Sequence, residues 1–396
     1  MSKTASYQAS PWPIERTEPE AVGLCSKRLS RVGDVARRYV DEGRAAGIIS
    51  LVARRGRIAY LNCVGKMDLG GREAMREDAL FRIYSMTKPI TCAAALVLME
   101  EGRYLLAEPV KKFLPEFAEL RVAVPGPRGR EKLVAPRRDV TIHDLMTHLG
   151  GLTYDCIHEC RDGGQSLAEF ITAFCQRPLR HQPGEVWDYS ASQDVLGRVI
   201  EVVAGQPFDE FLQQRIFAPL GMTDTAFHVP KSKAARLAGI TTTDDRGKLI
   251  VDQTPAVNAY LKKPSLPSGG GGLVSSTSDY LRFALMLLGE GEALGVRLLS
   301  RKTVELMTDD HLPAGHPAID VNRRGYGLGV SVVRRVGETQ MLCSVGEFGW
   351  GGAACTQTWI DPAEEMITMV MLQHRPKEKY PLMDLVRQTS VQAIVD

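Results

Sequence analysis

Strand-type and helix-type segments are sorted along this chain of 396 residues rather than interleaved. Two β-type runs, 48–53 and 57–64, lie near the N-terminus, with Arg55-Gly56 between them as a tight hairpin turn. Comparable runs return only late, at 326–334, 339–344, 353–360 and 366–372, whereas the pattern from about 86 to 230 is helical. Strands this close in sequence pair through hairpins, because a parallel neighbour needs a long crossover. The chain is therefore expected to be α/β in the α+β sense: one mainly antiparallel sheet, fed from both ends and flanked by helices, with a helical domain inserted. The expected division is a discontinuous sheet domain, 1–84 and 231–396, and a mainly helical domain, 85–230, with the functional site at their interface.

Residues 33–44 read as a charged helix with Val35, Ala36, Tyr39 and Val40 on one side. The run 91–101 is apolar and Ala-rich, and Gly102 closes it as a C′ glycine. Further helices are expected at 141–147, 166–175, 192–204, 277–288 and about 380–395. Residues 121–138, rich in Pro, Gly and Arg, read as a solvated loop.

Composition removes several function classes. Hydrophobic residues make up 44% and charged residues 24%, which suits a packed globule and excludes disorder as the main state. Against 47 acidic residues stand 49 basic ones, a net charge of +2 that gives no general attraction to nucleic acid or anionic lipid. No secretory signal follows Met1, and no apolar run reaches membrane-spanning length. The eight scattered cysteines read as free thiols in a cytoplasmic protein. Cys156, His158 and Cys160, with His143 and His148 upstream, lack CxxC or HExxH spacing, so no metal is expected. Nothing in the sequence specifies an oligomeric state.

Phosphate-loop, dinucleotide and GxSxG signatures are absent. What remains is Ser85-Met86-Thr87-Lys88, followed by Pro89 and an apolar helix. Proline fits the first turn of a helix, which puts Ser85 at or near the helix N-terminus. Residues i and i+3 share a helix face, so Lys88 Nζ can approach Ser85 Oγ. Burial and the positive helix end would favour a neutral amine able to take the serine proton. An N-cap serine followed by a surface lysine explains the same residues. Tyr189, behind Pro183-Gly184, is either a core tyrosine or an acid/base beside a cation such as Lys88. Tyr60-Leu61-Asn62 imitates a Tyr-x-Asn motif but falls in a strand. Gly349-Trp350-Gly351-Gly352-Ala353 leads into a strand, where glycines admit a substrate backbone or form a bulge around a buried tryptophan. Gly269–272 is either a flexible loop or the border of a site.

In this order the segments resemble the serine β-lactamase/DD-peptidase superfamily, and most closely its family VIII carboxylesterases, which are similar to class C β-lactamases. The resemblance runs from about Gly47 to Leu372 and is carried by 81–89, 141–152, Pro183-Gly184 before Tyr189-Ser190, 270–279 and 326–329. It implies a β-lactamase/transpeptidase-like fold, with Ser85 as nucleophile, Lys88 as its activating partner and Tyr189 as acid/base. It also implies an oxyanion hole from the backbone N–H groups of Ser85 and Ala353. Two positions depart from the β-lactamase pattern: Ala191 stands where a Tyr-x-Asn motif has its asparagine, and Trp350-Gly351-Gly352 replaces Lys-Thr-Gly. The esterase branch shares the second departure.

The expectation is a serine carboxylesterase with weak or no β-lactamase activity, acting on a small-molecule ester without cofactor. Trp350, Gly351 and Gly352 are the expected substrate-binding residues. The rival readings are a β-lactamase or DD-peptidase, an acyltransferase, and a non-enzymatic ligand-binding protein. Intact Ser85, Lys88 and Tyr189 argue against the last. His143 and His148 are read as structural, since both lie in a helical segment of apolar spacing.

Overall fold

The computed structural model describes residues 12–126, 130–154, 164–254, 257, 259–317, 319, 323–376 and 381–396. The Cys156-His158-Cys160 cluster lies outside the described residues. Its central sheet joins both ends of the chain. Strands β1 (Gly47–Arg54) and β2 (Arg57–Gly65) form a hairpin whose turn, Arg55-Gly56, has positive φ at both residues, as a two-residue hairpin favours. Strand β3 (Leu80–Arg82) belongs to a separate small sheet, where it pairs with β6 (Val274–Ser276). Late in the chain come β7 (Gly325–Tyr326), β8 (Ser331–Val332), β9 (Phe348–Gly352), β10 (Thr356–Asp361) and β11 (Met366–Met371). The seven-stranded sheet runs β7-β8-β9-β10-β11-β1-β2, antiparallel throughout. The β1–β11 pairing, with Ile49 opposite Met371, is where the two ends meet.

Both faces of this sheet are covered, which is why β1 and β11 are apolar at nearly every position. Ile48 and Val52 of β1, with Met366 and Val370 of β11, pack under helix α1 (Ser26–Asp41) and the C-terminal helix Leu382–Val391. The alternate residues Ile49, Leu51, Ile367, Met369 and Met371 join the main core on the opposite face. At the centre of that core runs α2 (Thr87–Glu100), buried at every residue from Thr87 to Leu98. A helix apolar on all sides is a core helix. On it packs α5 (Ser192–Ala204), and on α5 in turn pack α3 (Ile142–Thr147) and α4 (Leu167–Phe174). Gly102 and Gly205 adopt the left-handed conformation expected after α2 and α5. No helix among the described residues is long and apolar enough to cross a membrane.

Several local expectations change. The expected loop 121–138 contains a β-hairpin, β4 (Val122–Pro125) with β5 (Glu131–Val134). Residues 339–344 are not a strand. Thr339 ends a helical turn, its Oγ1 donates to Val336 O and accepts the Met341 N–H, and Gln340 is left-handed. These local bonds displace the ladder. The run 326–334 splits into β7 and β8 around a tight turn in which Gly327 N–H donates to Val330 O. The strand expected from Ala353 begins at Thr356. Gly349–352 lie in their own strand, β9, and Ala353 sits in the turn to β10. Helix α1 begins at Ser26 and α2 at Thr87, each earlier than expected.

One ion pair is enclosed beneath the sheet. Arg387 is fully buried and pairs with Glu347, itself 3% exposed. Burial pushes the Glu347 carboxyl up to about 7, against the pull of Arg387. Removing the cation raises it further, so the cost of charging Glu347 grows as pH rises above the unfolded value. Arg387→Met is expected to cost about 3–5 kcal/mol at pH 8, the usual penalty for orphaning a buried charge, and clearly less at pH 5. Urea unfolding at both pH values checks this, and equal losses would contradict it.

Candidate active site

The site begins where β3 ends. Arg82 is buried and donates to Val257 O and Ala238 O, while Gln373 accepts the Arg82 N–H and donates to its carbonyl. The chain then turns through Tyr84, a non-glycine residue at φ 42°, into a short 3₁₀ turn, Tyr84–Met86, stacked on α2. Left-handed backbone at a bulky residue is unfavourable and persists only where surrounding structure imposes it. Here β9 packs against the turn. A Cβ on Gly352 would stand 2.3 Å from the Ile83 carbonyl oxygen, so only glycine allows this approach.

Lys88, one turn on, is fully buried. Its Nζ donates to Ser85 Oγ at 3.2 Å and to Gly270 O at 2.5 Å. The loop carrying Gly270 is pinned to α2 at two further points. Thr91 Oγ1 donates to Gly269 O at 2.8 Å, and Thr87 Oγ1 accepts the Leu273 N–H at 3.2 Å. Buried Asp194 accepts the Gly270 N–H at 3.2 Å and the Ser268 hydroxyl. A Cβ on Gly270 would lie 2.5 Å from Asp194 Oδ2. Gly269–272 is thus a buried, bonded loop bordering the site.

Tyr189 reaches in from the segment before α5. Its hydroxyl donates to Ser85 Oγ at 2.8 Å, and Lys88 Nζ lies 4.5 Å from its ring centre. Burial lifts the phenol above its usual range, against the opposing pull of Ser85 and the Trp350 indole, so Tyr189 carries its proton at neutral pH. Ser85 Oγ therefore receives two donors at rest. Around Tyr189 stand Trp187, Trp350, Tyr154 and His148, with ring centres 4.6 to 6.1 Å away. Tyr326 closes the wall, 5.2 Å from Trp350. Trp187 also lines a cavity of about 390 Å³ with Val186, Asp188, Arg180 and His181.

Neither histidine hydrogen-bonds Ser85 among the described residues. His143 Nε2 pairs with His311 Nδ1 at 2.9 Å, and His148 Nδ1 is taken up by Ser190. Burial, then the nearby Lys88 charge, holds the His148 imidazole well below its usual pKa and neutral. Ala191 is buried at the start of α5 and offers no amide.

The sequence pattern of the beta-lactamase family matches residues 32–392. The chain belongs to the beta-lactamase family. It is 34% identical over 292 residues to Esterase EstB of Burkholderia gladioli, covering 67% of this chain and 71% of that protein. It is 27% identical over 362 residues to the monacolin J acid methylbutanoyltransferase of Aspergillus terreus, covering 84% and 87%. Among solved structures it resembles "EstCE1, a hydrolase with promiscuous acyltransferase activity", with a TM-score of 0.78, 24% identity, and coverage of 92% of this chain and 99% of that one. The fold is β-lactamase/transpeptidase-like, and within the beta-lactamase family the chain is a serine hydrolase.

The structure brings Ser85, Lys88 and Tyr189 together and sets Trp350 and Gly352 beside them. Sequence reasoning missed Asp194 and the carbonyl of Gly270, and gave no role to Trp187 or Tyr326. Adjacent glycines after Ser268 were the available signal for the loop. Nothing local marks Asp194, whose partners lie more than 70 residues away. Gly352→Ala is expected to force β9 off the Ile83–Ser85 turn and slow modification of Ser85 by a serine-directed phosphonate about 10- to 100-fold. Unchanged labelling kinetics in a folded variant would show that the close approach is not needed.

Proposed function

We propose that the protein is a serine carboxylesterase that hydrolyses short-chain carboxylic esters through an acyl-enzyme on Ser85. One observation carries the reading: a buried lysine and a protonated tyrosine both bond the same serine oxygen. That oxygen becomes nucleophilic only when one donor turns acceptor. Tyr189 holds its proton, so the acceptor is Lys88 as the neutral amine, still donating one N–H to Gly270 O. Lys88 takes the Ser85 proton as Oγ attacks the ester carbonyl. The backbone N–H groups of Ser85 and Ala353 would receive the oxyanion. Tyr189 gives its proton to the departing alcohol and regains one from Lys88. Water then attacks the acyl-enzyme by the reverse relay, releasing the acid and restoring Ser85. In this reading the site lies on the seam between the sheet domain (1–84, 231–396) and the helical domain (85–230).

The substrate class follows from the wall. A β-lactam carries a carboxylate that needs a cation or hydroxyl, and Trp350-Gly351 supplies neither. Trp350 and Trp187 instead offer apolar surface suited to a neutral acyl or alcohol group, which supports the family VIII esterase reading. Free thiols at all six described cysteines favour the cytoplasm. Acyl transfer is the second reading. It is favoured by the transferase relative and by what the solved neighbour is described as doing, and it differs only in what attacks the acyl-enzyme.

Ser85→Ala is expected to lower kcat about 1000-fold or more. Lys88→Ala and Tyr189→Phe should each be severe and strongly non-additive, because the proton relay works as one unit. As Tyr189 stays protonated, the pH–rate profile should rise through neutral or mildly alkaline pH as Lys88 loses its proton. Full activity in Ser85→Ala, with a phosphonate adduct on another serine, would end the mechanism.

A short p-nitrophenyl ester is expected to show a higher kcat/KM than a chromogenic cephalosporin on the same preparation. The reverse order would move the chain to the β-lactamase reading while leaving the Ser85 relay intact. Adding a nucleophilic alcohol separates hydrolysis from transfer: transfer diverts acyl groups from acid to new ester.

A further inference from the structure

His148 stands at the C-terminal end of α3, fully buried and left-handed at φ 58°. It grips the segment carrying Tyr189 from both sides. Its carbonyl oxygen accepts the Asp188 N–H at 3.0 Å, and its ring Nδ1 accepts the Ser190 N–H at 3.2 Å. Between these two anchored residues lies Tyr189, its ring 4.6 Å from the imidazole centre. The clamp is tied down at each end. Ser190 Oγ bonds Ser192 Oγ at the start of α5. Helix α3 begins in a capping box, where Thr141 accepts the Asp144 N–H and Asp144 accepts the Thr141 N–H, with Arg138 bridging onto that carboxylate.

These contacts leave Tyr189 little freedom. Hydrogen bonds fix the backbone on either side of it, and a packed ring fixes its plane. Its hydroxyl then falls 2.8 Å from Ser85 Oγ. Because Nδ1 accepts the Ser190 N–H, the neutral ring carries its proton on Nε2, which has no hydrogen-bond partner among the described residues. A protonated Nδ1 would face the Ser190 N–H donor to donor and break the clamp.

We propose that His148 is the positioning residue for Tyr189, holding the phenol on Ser85 by bracketing Asp188 and Ser190 and backing the ring. The proposal rests on the Ser85 esterase reading, and it gives His148 no proton to transfer and no contact with substrate.

His148→Gly and His148→Asn test it. Both residues accept left-handed backbone. Glycine removes the ring and the Nδ1 acceptor, whereas the asparagine carbonyl can replace Nδ1. Each variant is made in the wild-type and the Tyr189→Phe background. The readouts are kcat and KM for a p-nitrophenyl ester and the rate constant for phosphonate labelling of Ser85, all normalised by active-site titration. With Tyr189 present, His148→Gly is expected to lower kcat and the labelling rate about 100-fold, the cost of a reacting group displaced by about 1 Å. KM should change little and His148→Asn should recover most of the loss. In Tyr189→Phe neither change should cost more than about twofold, because the group being positioned is gone. Equal losses in both backgrounds, or no loss in His148→Gly, would overturn the proposal. If His148→Gly does not fold, His148→Ala, which places only a Cβ at the left-handed position and has no acceptor, gives the same comparison. The labelling rate reads His148 even if no ester is turned over, so failure of the esterase reading and failure of this one are told apart.

Discussion

A lysine side chain with no access to water organises this molecule. Lys88 sits in the first turn of α2 and is fully buried, and a buried amine without partners would be costly to the fold. Its surroundings compensate point by point: the Gly270 carbonyl, the Ser85 hydroxyl and the face of the Tyr189 ring. Each partner is supplied by a different part of the chain, and each is held by bonds that would have no purpose otherwise. Thr87 and Thr91 fasten the glycine loop, Asp194 orients it, and β9 presses the serine turn into place. The same burial that demands these partners also favours the neutral amine on which the proposed chemistry depends.

The broad architecture was legible because its determinants are local or periodic. Antiparallel hairpins announce themselves by short turns, as at Arg55-Gly56, and the helix stops at Gly102 and Gly205 are single-residue signals. Errors fell where a side chain or a distant strand decides. Thr339 captures nearby backbone groups and prevents a strand that its neighbours favour. The glycines of β9 read as a strand entrance, yet they form an interior strand because β8 and β10 hold them on both sides. Ser85, Lys88 and Tyr189 were readable from an i, i+3 spacing and from family resemblance. The Asp194–Gly270 contact was not, since a carboxylate on one helix and a loop amide far along the chain share no sequence pattern. His148 was read as structural. Its lack of a hydrogen bond to Ser85 fits that, but its grip on both neighbours of Tyr189 is visible only in three dimensions.

In the proposed reading Ser85, Lys88 and Tyr189 form the reacting trio, and what faces them is aromatic. Trp350 of β9 joins Trp187, Tyr189 and Tyr326 in a continuous wall. Ala191 is buried and carries no polar side-chain group. Under the proposed reading an apolar wall beside the Ser85 relay suits a neutral acyl donor.

The sheet that joins both ends of the chain carries a consequence for synthesis. Thr356 Oγ1 meets the Ile83 carbonyl across a sequence separation of 273 residues. The strand that presses on the serine turn therefore leaves the ribosome long after Ser85 and Lys88 do. Until then α2, whose head carries that turn, has no β9 against it. A nascent or truncated chain that ends before β9 carries Ser85 and Lys88 without the strand that holds their turn, so in the proposed reading nucleophilic competence arrives only with that strand. The interval before it is when the exposed helix is most vulnerable to aggregation.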